Sequence, residues 1–192
     1  IIVTLMITVL LVVLVTYAFM GDWRMALIPS MAIPVSVLGS FFVLAVLGYS
    51  VNTITLFALV LAIGLVVDDA ILVVENVQRL MVEEGLSPGD AARRSMSQVK
   101  GPVISTTLVL LSVFVPFAFI PGMTGELYKQ FAITMSAAVI FSSLVALTLS
   151  PALCVVLLKQ RSQQPAMVLA VDRQLNRVRG KYTIAAGWFS RR

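Results

Sequence analysis

Apolar residues occur along this chain in five long stretches, separated by shorter segments that hold most of the polar and charged residues. A helix that crosses the hydrocarbon core of a membrane needs about 20 consecutive, mostly apolar residues. Each of the five stretches approaches or exceeds that length. The pattern therefore predicts an all-α membrane protein with five transmembrane helices, whose spans cover about residues 1–20, 25–47, 54–77, 103–120 and 131–158.

The segments between the predicted spans differ in length and character. GDWR and GYSVNT are tight connections, whereas residues 78–101 are polar. There, GLSPGDAARRSMSQV predicts a turn followed by a short amphipathic helix with Asp90 as its N-cap. IPGMTGELYKQ predicts a short loop before the fifth span. We therefore expect a transmembrane part in residues 1–158 and, in residues 159–192, a basic tail in which AVDRQLNRVRGKY predicts an amphipathic helix.

Basic residues are concentrated on one side of the predicted bundle. Because alternate connections lie on the same side of a membrane, all of the 14 Lys and Arg residues except Lys129 fall on the side of residues 78–101 and the tail. The positive-inside rule makes that side cytoplasmic. The chain is then predicted to start outside the cytoplasm and to end inside it. A first span that enters from outside implies an upstream segment, and the first residue is Ile1, so we expect a fragment of a longer protein.

The composition narrows the function classes. Hydrophobic residues make up 59% of the chain and charged residues 12%, the latter about half the share usual for soluble domains. The net charge of +5 then reflects membrane topology rather than nucleic-acid binding. The chain has no histidine and one cysteine, Cys154, and it contains no phosphate-binding loop, zinc-ligand spacing or nucleophile elbow. We therefore expect neither an enzyme nor a metal or organic cofactor.

Asp68 and Asp69 are adjacent acids near the middle of the third predicted span, in GLVVDDAILVVEN. A charged carboxylate at that depth costs about 2.5–3.5 kcal/mol on insertion scales. Two like charges in one site also oppose each other's ionisation, which suits the pair to bind and release protons. We favour a proton or cation site over a helix cap, because ILVV continues the apolar run, and over a purely structural polar pair.

Basic partners for this pair are missing from the predicted spans, none of which holds Lys or Arg in its core. Buried carboxylates are neutralised by protons, by a cation or by basic side chains. Basic partners of Asp68 and Asp69 are therefore expected on helices outside this chain. Glu75, seven residues after Asp68 on the same helix face, either continues a polar path or extends to the membrane interface.

Smaller features of the spans are given structural roles. Gly64, one turn before Asp68, is expected to permit close approach of another helix. Side-chain hydroxyls on the fourth span are expected to bond across helices, and Cys154 is expected to act as a small buried hydrophobe. The hydroxyls in question belong to Thr106, Thr107 and Ser112.

Several stretches of the chain resemble the resistance-nodulation-division (RND) multidrug efflux permeases, most closely the hydrophobe/amphiphile branch. The likeness covers about residues 1–160 and is carried by TLFALVLAIGLVVDDAILVVENVQRLMVEEGLSPGDAARRSM, RMALIPSMAIPVSVLGSFFVLAVLGYSVNTITLF, FVPFAFIPGMTGELYKQFAIT and LTLSPALCVVLLK. It implies a multi-pass protein of the bacterial inner membrane, of which this chain supplies helices two to six of the first membrane half. It further implies that Asp68 and Asp69 are the proton-relay carboxylates, with basic partners in the second half.

The resemblance also implies a function. The chain would form the proton-translocating part of a drug/proton antiporter for hydrophobic or amphiphilic compounds, working as a homotrimer with a periplasmic adaptor and an outer-membrane channel. Two alternatives remain open. The chain is an inactive remnant or assembly fragment, or its parent exports another substrate class such as metals or lipids. The DDA sequence at Asp68 and Asp69 favours drugs over metals, because the heavy-metal branch typically lacks the second Asp.

Overall fold

The computed structural model describes residues 2–159 and shows five α-helices joined by short connections, with no β-strand in that range. Four of the helices are long and apolar enough to cross a membrane, whereas the first contributes a shorter apolar helix, Met6–Met20. The prediction of an all-α membrane protein is confirmed. The amphipathic helix predicted in the basic tail lies outside the described residues. The helices are α1 (Ile2–Met20), α2 (Trp23–Val46), α3 (Thr53–Glu83), α4 (Pro88–Phe117) and α5 (Met123–Leu157).

Consecutive helices run in opposite directions because their connections are short. Residues 21–22 and 84–87 therefore lie at one end of the bundle, which we call the basic end because Arg24, Arg79 and Arg94 are near it. Residues 47–52 and 118–122 lie at the opposite end. At the opposite end α3 begins at a capping box, in which Asn52 accepts from the backbone N–H groups of Ile54 and Thr55 and the Thr55 hydroxyl accepts from the Asn52 N–H.

Helix α4 is longer than the predicted fourth span because it includes the segment expected to form a separate amphipathic helix. It continues through Pro102 without interruption. Its buried residues recur every four positions and form one stripe along the polar and the apolar part alike. Because the buried stripe runs without a gap from the polar into the apolar part, no break separates them, and the prediction of two helices is wrong. The stripe consists of Ala91, Ser95, Val99, Val103 and Thr107.

Ser87, rather than Asp90, caps the start of α4. The Ser87 hydroxyl oxygen accepts a hydrogen bond from the Asp90 backbone N–H at 3.2 Å. Pro88 occupies the first helical position, where the helix has no use for a backbone N–H. The prediction of Asp90 as N-cap is therefore wrong by one turn. Asp90 lies instead in the first turn, where its negative charge interacts favourably with the helix dipole.

Helix α5 begins at Met123, inside the segment IPGMTGELYKQ that the sequence predicts to be a loop. The chain turns at Gly122, whose φ of 92° is in the left-handed region. Gly125 follows so close to the carbonyl of Ile120 that an added Cβ would collide with it. The loop prediction is wrong because the first turns of α5 are polar, and apolar length alone does not detect them.

Helix α5 packs against α2, α3 and α4. Most of its buried positions are small residues, which let helix backbones approach closely within a bilayer. These buried positions include Ala137, Ala138, Ser142 and Ala146. At the contact with α2, a Cβ added to Gly39 would lie 2.5 Å from ring carbons of Phe141. The packing of α5 thus positions one face of α3, the helix that carries the acid pair.

Candidate functional site

The two acids lie midway along α3, far from both ends of the bundle. Asp68 is the central residue of the 31-residue helix α3, about 22 Å from either end at a rise of 1.5 Å per residue. Adjacent helical positions point about 100° apart, so the two carboxylates meet different surroundings. Asp69 is half-buried towards α5, whereas Asp68 is exposed on a neighbouring face of the helix.

Asp69 is hydrogen-bonded to a buried hydroxyl of α5. Ser142 Oγ lies 3.0 Å from Asp69 Oδ2 and 3.0 Å from the backbone carbonyl oxygen of Val66. Ser142 is 2% exposed, so no bulk solvent competes for this contact. Ser142 could not be identified from the sequence, because the dipeptide Ser142–Ser143 gives no signal of which hydroxyl faces α3. In the structure Ser143 donates to Ile140 of its own helix.

The Ser142 hydroxyl can satisfy Asp69 in both of its protonation states. When Asp69 is a carboxylate, the hydroxyl donates its single proton to Oδ2. When Asp69 is a carboxylic acid, the acid donates to Ser142 Oγ, and the Ser142 proton turns to the Val66 carbonyl at 3.0 Å. Neither state leaves a buried polar group without a partner. The site is therefore built to exchange a proton without a penalty from an unsatisfied hydrogen bond.

Asp68 belongs to a face of α3 that no described helix covers. We call this face the open face; it consists of Leu61, Gly64, Asp68, Leu72 and Glu75, all of which are exposed. A Cβ added to Gly64 would meet no atom within 4 Å, so the close approach expected there does not occur with helices of residues 2–159. Within the same range Asp68 has no hydrogen bond or ion pair.

The cations of the described chain lie far from the acid pair. Within residues 2–159, ion pairs occur only near the helix ends, and no Lys or Arg comes within ion-pair distance of Asp68 or Asp69. The nearest approaches of opposite charges are Arg79–Glu83 at 3.1 Å, Arg94–Glu84 at 2.8 Å and Lys129–Glu126 at 3.8 Å. No group of three or more His, Cys, Asp or Glu residues in the described part of the chain could hold a metal ion.

A polar cluster that was not predicted from the sequence joins α3 to α4 at the basic end. The Asn76 side-chain amide donates to Ser95 Oγ at 3.1 Å and to Gln98 Oε1 at 3.0 Å. Arg79 Nη2 donates to the amide oxygens of Asn76 and Gln98, at 2.7 Å and 3.2 Å. The four polar residues lie on facing helix surfaces four or fewer positions apart. The sequence signal for the cluster is a pair of polar residues three positions apart on each helix. That signal identifies a contact only when the packing of α3 against α4 is known.

The hydroxyls predicted to bond across helices from α4 do not do so. Thr107 donates to the carbonyl of Val103 in its own helix at 2.8 Å, and Thr106 and Ser112 also donate to carbonyls of α4. That prediction is wrong, because a carbonyl one turn earlier is always within reach of a helical hydroxyl. Cys154 is fully buried, which confirms its prediction as a small buried hydrophobe.

Comparisons with known proteins place the chain in a family. The sequence model of the AcrB/AcrD/AcrF family matches residues 1–191. The chain is 52% identical over 161 residues to the multidrug export protein AcrF of Escherichia coli (strain K12), covering 84% of this chain and 16% of AcrF. It is 53% identical over 156 residues to the toluene efflux pump membrane transporter TtgB of Pseudomonas putida, covering 81% and 15%. It is 47% identical over 156 residues to the multidrug resistance protein MdtF of E. coli (strain K12), covering 81% and 15%.

The chain spans about one sixth of the length of these relatives. The family match nevertheless includes all five helices and the acid pair of α3. The resemblance to RND multidrug efflux permeases is therefore confirmed over nearly the whole sequence. On this match and on identities of 47–53% to efflux proteins, the chain belongs to the AcrB/AcrD/AcrF family.

Proposed function

We propose that this chain forms the proton-translocating part of a drug/proton antiporter that exports hydrophobic or amphiphilic compounds. The observation that carries the proposal is the acid pair at the centre of an apolar helix, with Asp69 bonded to Ser142 and Asp68 on the open face. The relatives, a multidrug export protein and a toluene efflux pump among them, support apolar compounds as cargo. On this proposal the protein is a secondary transporter, and the proton is its coupling ion in place of any cofactor.

Proton binding would act by changing which helix arrangement is favoured. A charged carboxylate at the membrane centre costs about 2.5–3.5 kcal/mol, and protonation removes most of that cost. The protonated pair therefore tolerates a dry open face, whereas the ionised pair requires water or cations there. Because Ser142 links Asp69 to α5, each change of protonation reverses the direction of the hydrogen bond between α3 and α5. A shift between two packed arrangements then transmits proton binding to the rest of the transporter.

We infer that helices from outside this chain cover the open face and bring basic side chains to Asp68 and Asp69. The face holds a carboxylate without a cation in the described chain, and Gly64 beside it leaves room for a second backbone. Pairing with a basic side chain would offset the cost of the ionised acids. A proton that binds to the pair would break the interaction with the basic side chain. The partner helix would then have two positions, one for the ionised pair and one for the protonated pair.

For the complete protein we propose the bacterial inner membrane as its location. The basic end would face the cytoplasm, because basic residues are retained on that side, and the chain would then start in the periplasm. The family resemblance further suggests a homotrimer that works with a periplasmic adaptor and an outer-membrane channel. The lipid bilayer is the direct partner of the exposed apolar surfaces of α1, α2 and α4.

An inactive or assembly-only fragment is the second candidate for the chain on its own. The open face favours it, because an isolated chain would leave Asp68 without the partner that the mechanism requires. Reconstituted alone, the chain should show no proton-coupled drug flux, and measurable flux would exclude this candidate. An exporter of metals or lipids is less well supported, because the named relatives export drugs and toluene.

The proposal is tested by neutralising each acid in the complete transporter. Asp68→Asn and Asp69→Asn keep the side-chain volume but cannot carry the proton. Drug efflux from cells that express either variant should fall to the level of cells without the transporter. Glu126→Gln, at an exposed carboxylate near the opposite end, is the matched control and should keep wild-type efflux. Unchanged efflux in both Asp variants would show that the pair does not carry the coupling proton.

A further inference from the structure

A cavity opens between α3 and α4 on the side of the acid pair that faces the basic end. It has a volume of about 260 Å³ and is lined by Leu72, Glu75, Asn76, Arg79, Gln98 and Val99. A polar cavity needs only about 10–15 Å³ of such volume to hold one water. The cavity is therefore large enough for several waters, and its walls offer a carboxylate, a guanidinium and two amides as partners.

Glu75 lies on the open face between this cavity and the acid pair. It is seven residues from Asp68, which places it about 10 Å closer to the basic end at helical rise. Leu72, also on the cavity wall, lies one turn from Asp68. Among residues 2–159, Glu75 is the only acid of α3 between Asp69 and the salt-bridged terminal turn. The cavity thus extends along α3 to within about one helical turn of Asp68.

Glu75 has no hydrogen bond or ion pair within the described chain, although Arg79 follows four positions later. Glutamate four residues before a basic residue is the favourable helical arrangement for an ion pair. Arg79 is instead held elsewhere: Nη1 pairs with Glu83 at 3.1 Å, and Nη2 donates to Asn76 and Gln98. The amides of Asn76 and Gln98 also bond each other at 3.0 Å, which fixes both acceptors. The polar cluster therefore directs the guanidinium away from Glu75.

Building on the proton-translocating function proposed above, we propose that Glu75 passes protons between the Asp68–Asp69 pair and the water at the basic end. Asn76 and Gln98 act as positioning residues that keep Arg79 from neutralising it. In each cycle a carboxylic acid of the pair loses its proton through water to the Glu75 carboxylate. Glu75 then gives the proton to water in the cavity and becomes a carboxylate again. One proton enters and one leaves, and no other co-reactant is needed.

The charged surroundings of Glu75 are simple enough to make the proposal testable. Arg79 is the other charged side chain of the cavity wall, and α4 contributes the neutral Gln98 and Val99 to it. Of the basic residues in α4, Arg94 is paired with Glu84 at 2.8 Å, and Arg93 and Lys100 do not line the cavity. Among residues 2–159, the Asp68–Asp69 pair supplies the remaining charge on the open face. Freeing Arg79 should therefore affect Glu75 more than any other carboxylate of the cavity.

The test measures proton flux driven by a drug gradient, using the complete transporter in proteoliposomes that contain a pH-sensitive dye. Glu75→Gln should lower the flux by at least about tenfold, since a side chain that transfers protons typically contributes more than that. Glu84→Gln is the control at the same end and should keep the flux. Asn76→Ala combined with Gln98→Ala should lower it about twofold, the effect of one helical ion pair. Adding Arg79→Met to that double variant should restore it.

Each outcome decides a separate point. Wild-type flux in Glu75→Gln would overturn the relay role of Glu75. If the Asn76→Ala/Gln98→Ala variant has a lowered proton flux and adding Arg79→Met does not restore it, the two amides have only a structural role. That result would overturn their assignment as positioning residues. If the Glu75→Gln variant does not fold, restoration of the flux by Arg79→Met still tests the proposal. The double variant and the triple variant that it compares both retain Glu75. Asp68→Asn is measured in the same assay. If the Asp68→Asn variant keeps its proton flux, the proposed function is contradicted. If Asp68→Asn abolishes the flux while Glu75→Gln leaves it normal, only the inference about Glu75 is rejected.

Discussion

Replacing Gly39 by alanine tests how closely α2 and α5 are packed. A Cβ at position 39 would lie 2.5, 2.5 and 2.7 Å from three ring carbons of Phe141. Favourable carbon–carbon contacts lie at about 3.5–4.0 Å, so the ring or the helix must move by about 1 Å. Overpacking of this kind typically costs about 1–3 kcal/mol. Gly39→Ala should therefore lower the free energy of unfolding, although alanine favours the helix by about 1 kcal/mol.

A double-mutant cycle separates the steric term from the helix propensity. In a Phe141→Ala background the ring is absent, and Gly39→Ala should be neutral or stabilising. The difference between the effects of Gly39→Ala in the two backgrounds should be about 1–3 kcal/mol. The measurement is a denaturant titration of the purified complete transporter in detergent micelles. Equal effects of Gly39→Ala in both backgrounds would refute the close contact between α2 and α5.

Three further predictions concern single positions. Ser142→Ala removes a hydrogen bond to a charged acceptor, worth about 1.5–3 kcal/mol, and should lower drug efflux by roughly tenfold or more. The control Ser143→Ala loses only a bond within its own helix and should keep wild-type efflux. Equal effects of the two substitutions would show that Ser142 is not part of the site. Asn52→Ala removes the capping box of α3 and should lower the free energy of unfolding by about 1 kcal/mol. Asn52→Asp keeps an acceptor at the N-cap and should retain most of that stability. An unchanged free energy of unfolding in the alanine variant would contradict the cap. Gly125→Ala places a Cβ against a backbone carbonyl that cannot rotate away, so the yield of folded transporter in size-exclusion chromatography should fall, and a normal yield would contradict that contact.

The number and type of the helices could be predicted from the sequence because the membrane imposes a minimum apolar length. The helix ends could not be predicted equally well. Pro88 and Asp90 suggest a separate helix with its own cap, yet α4 is capped one turn earlier by Ser87 and continues into the span. The start of α5 at Met123 was hidden for a related reason, because its first turns contain Glu126 and Lys129. Polar helical turns outside a bilayer leave no trace in an apolar-length count.

The acids of the candidate site could be predicted, but their surroundings could not. Asp68 and Asp69 are conspicuous because charge within an apolar run is costly. Their different exposure depends on where α5 packs, and Ser142 joins Asp69 only through that packing. The redirection of Arg79 from Glu75 to Asn76 and Gln98 is likewise a tertiary effect, since helical spacing alone predicts the opposite pair.

The measurement that tests the central claim most directly is infrared difference spectroscopy of the complete transporter through a pH jump. A carboxylic acid that loses its proton loses a carbonyl stretching band, which distinguishes it from a carboxylate. The proposed proton site predicts such a band in the wild-type transporter, and its loss or displacement in Asp68→Asn and in Asp69→Asn. A band that is the same in both variants and in the wild type would show that the titrating acid lies elsewhere, and would contradict the assignment of Asp68 and Asp69.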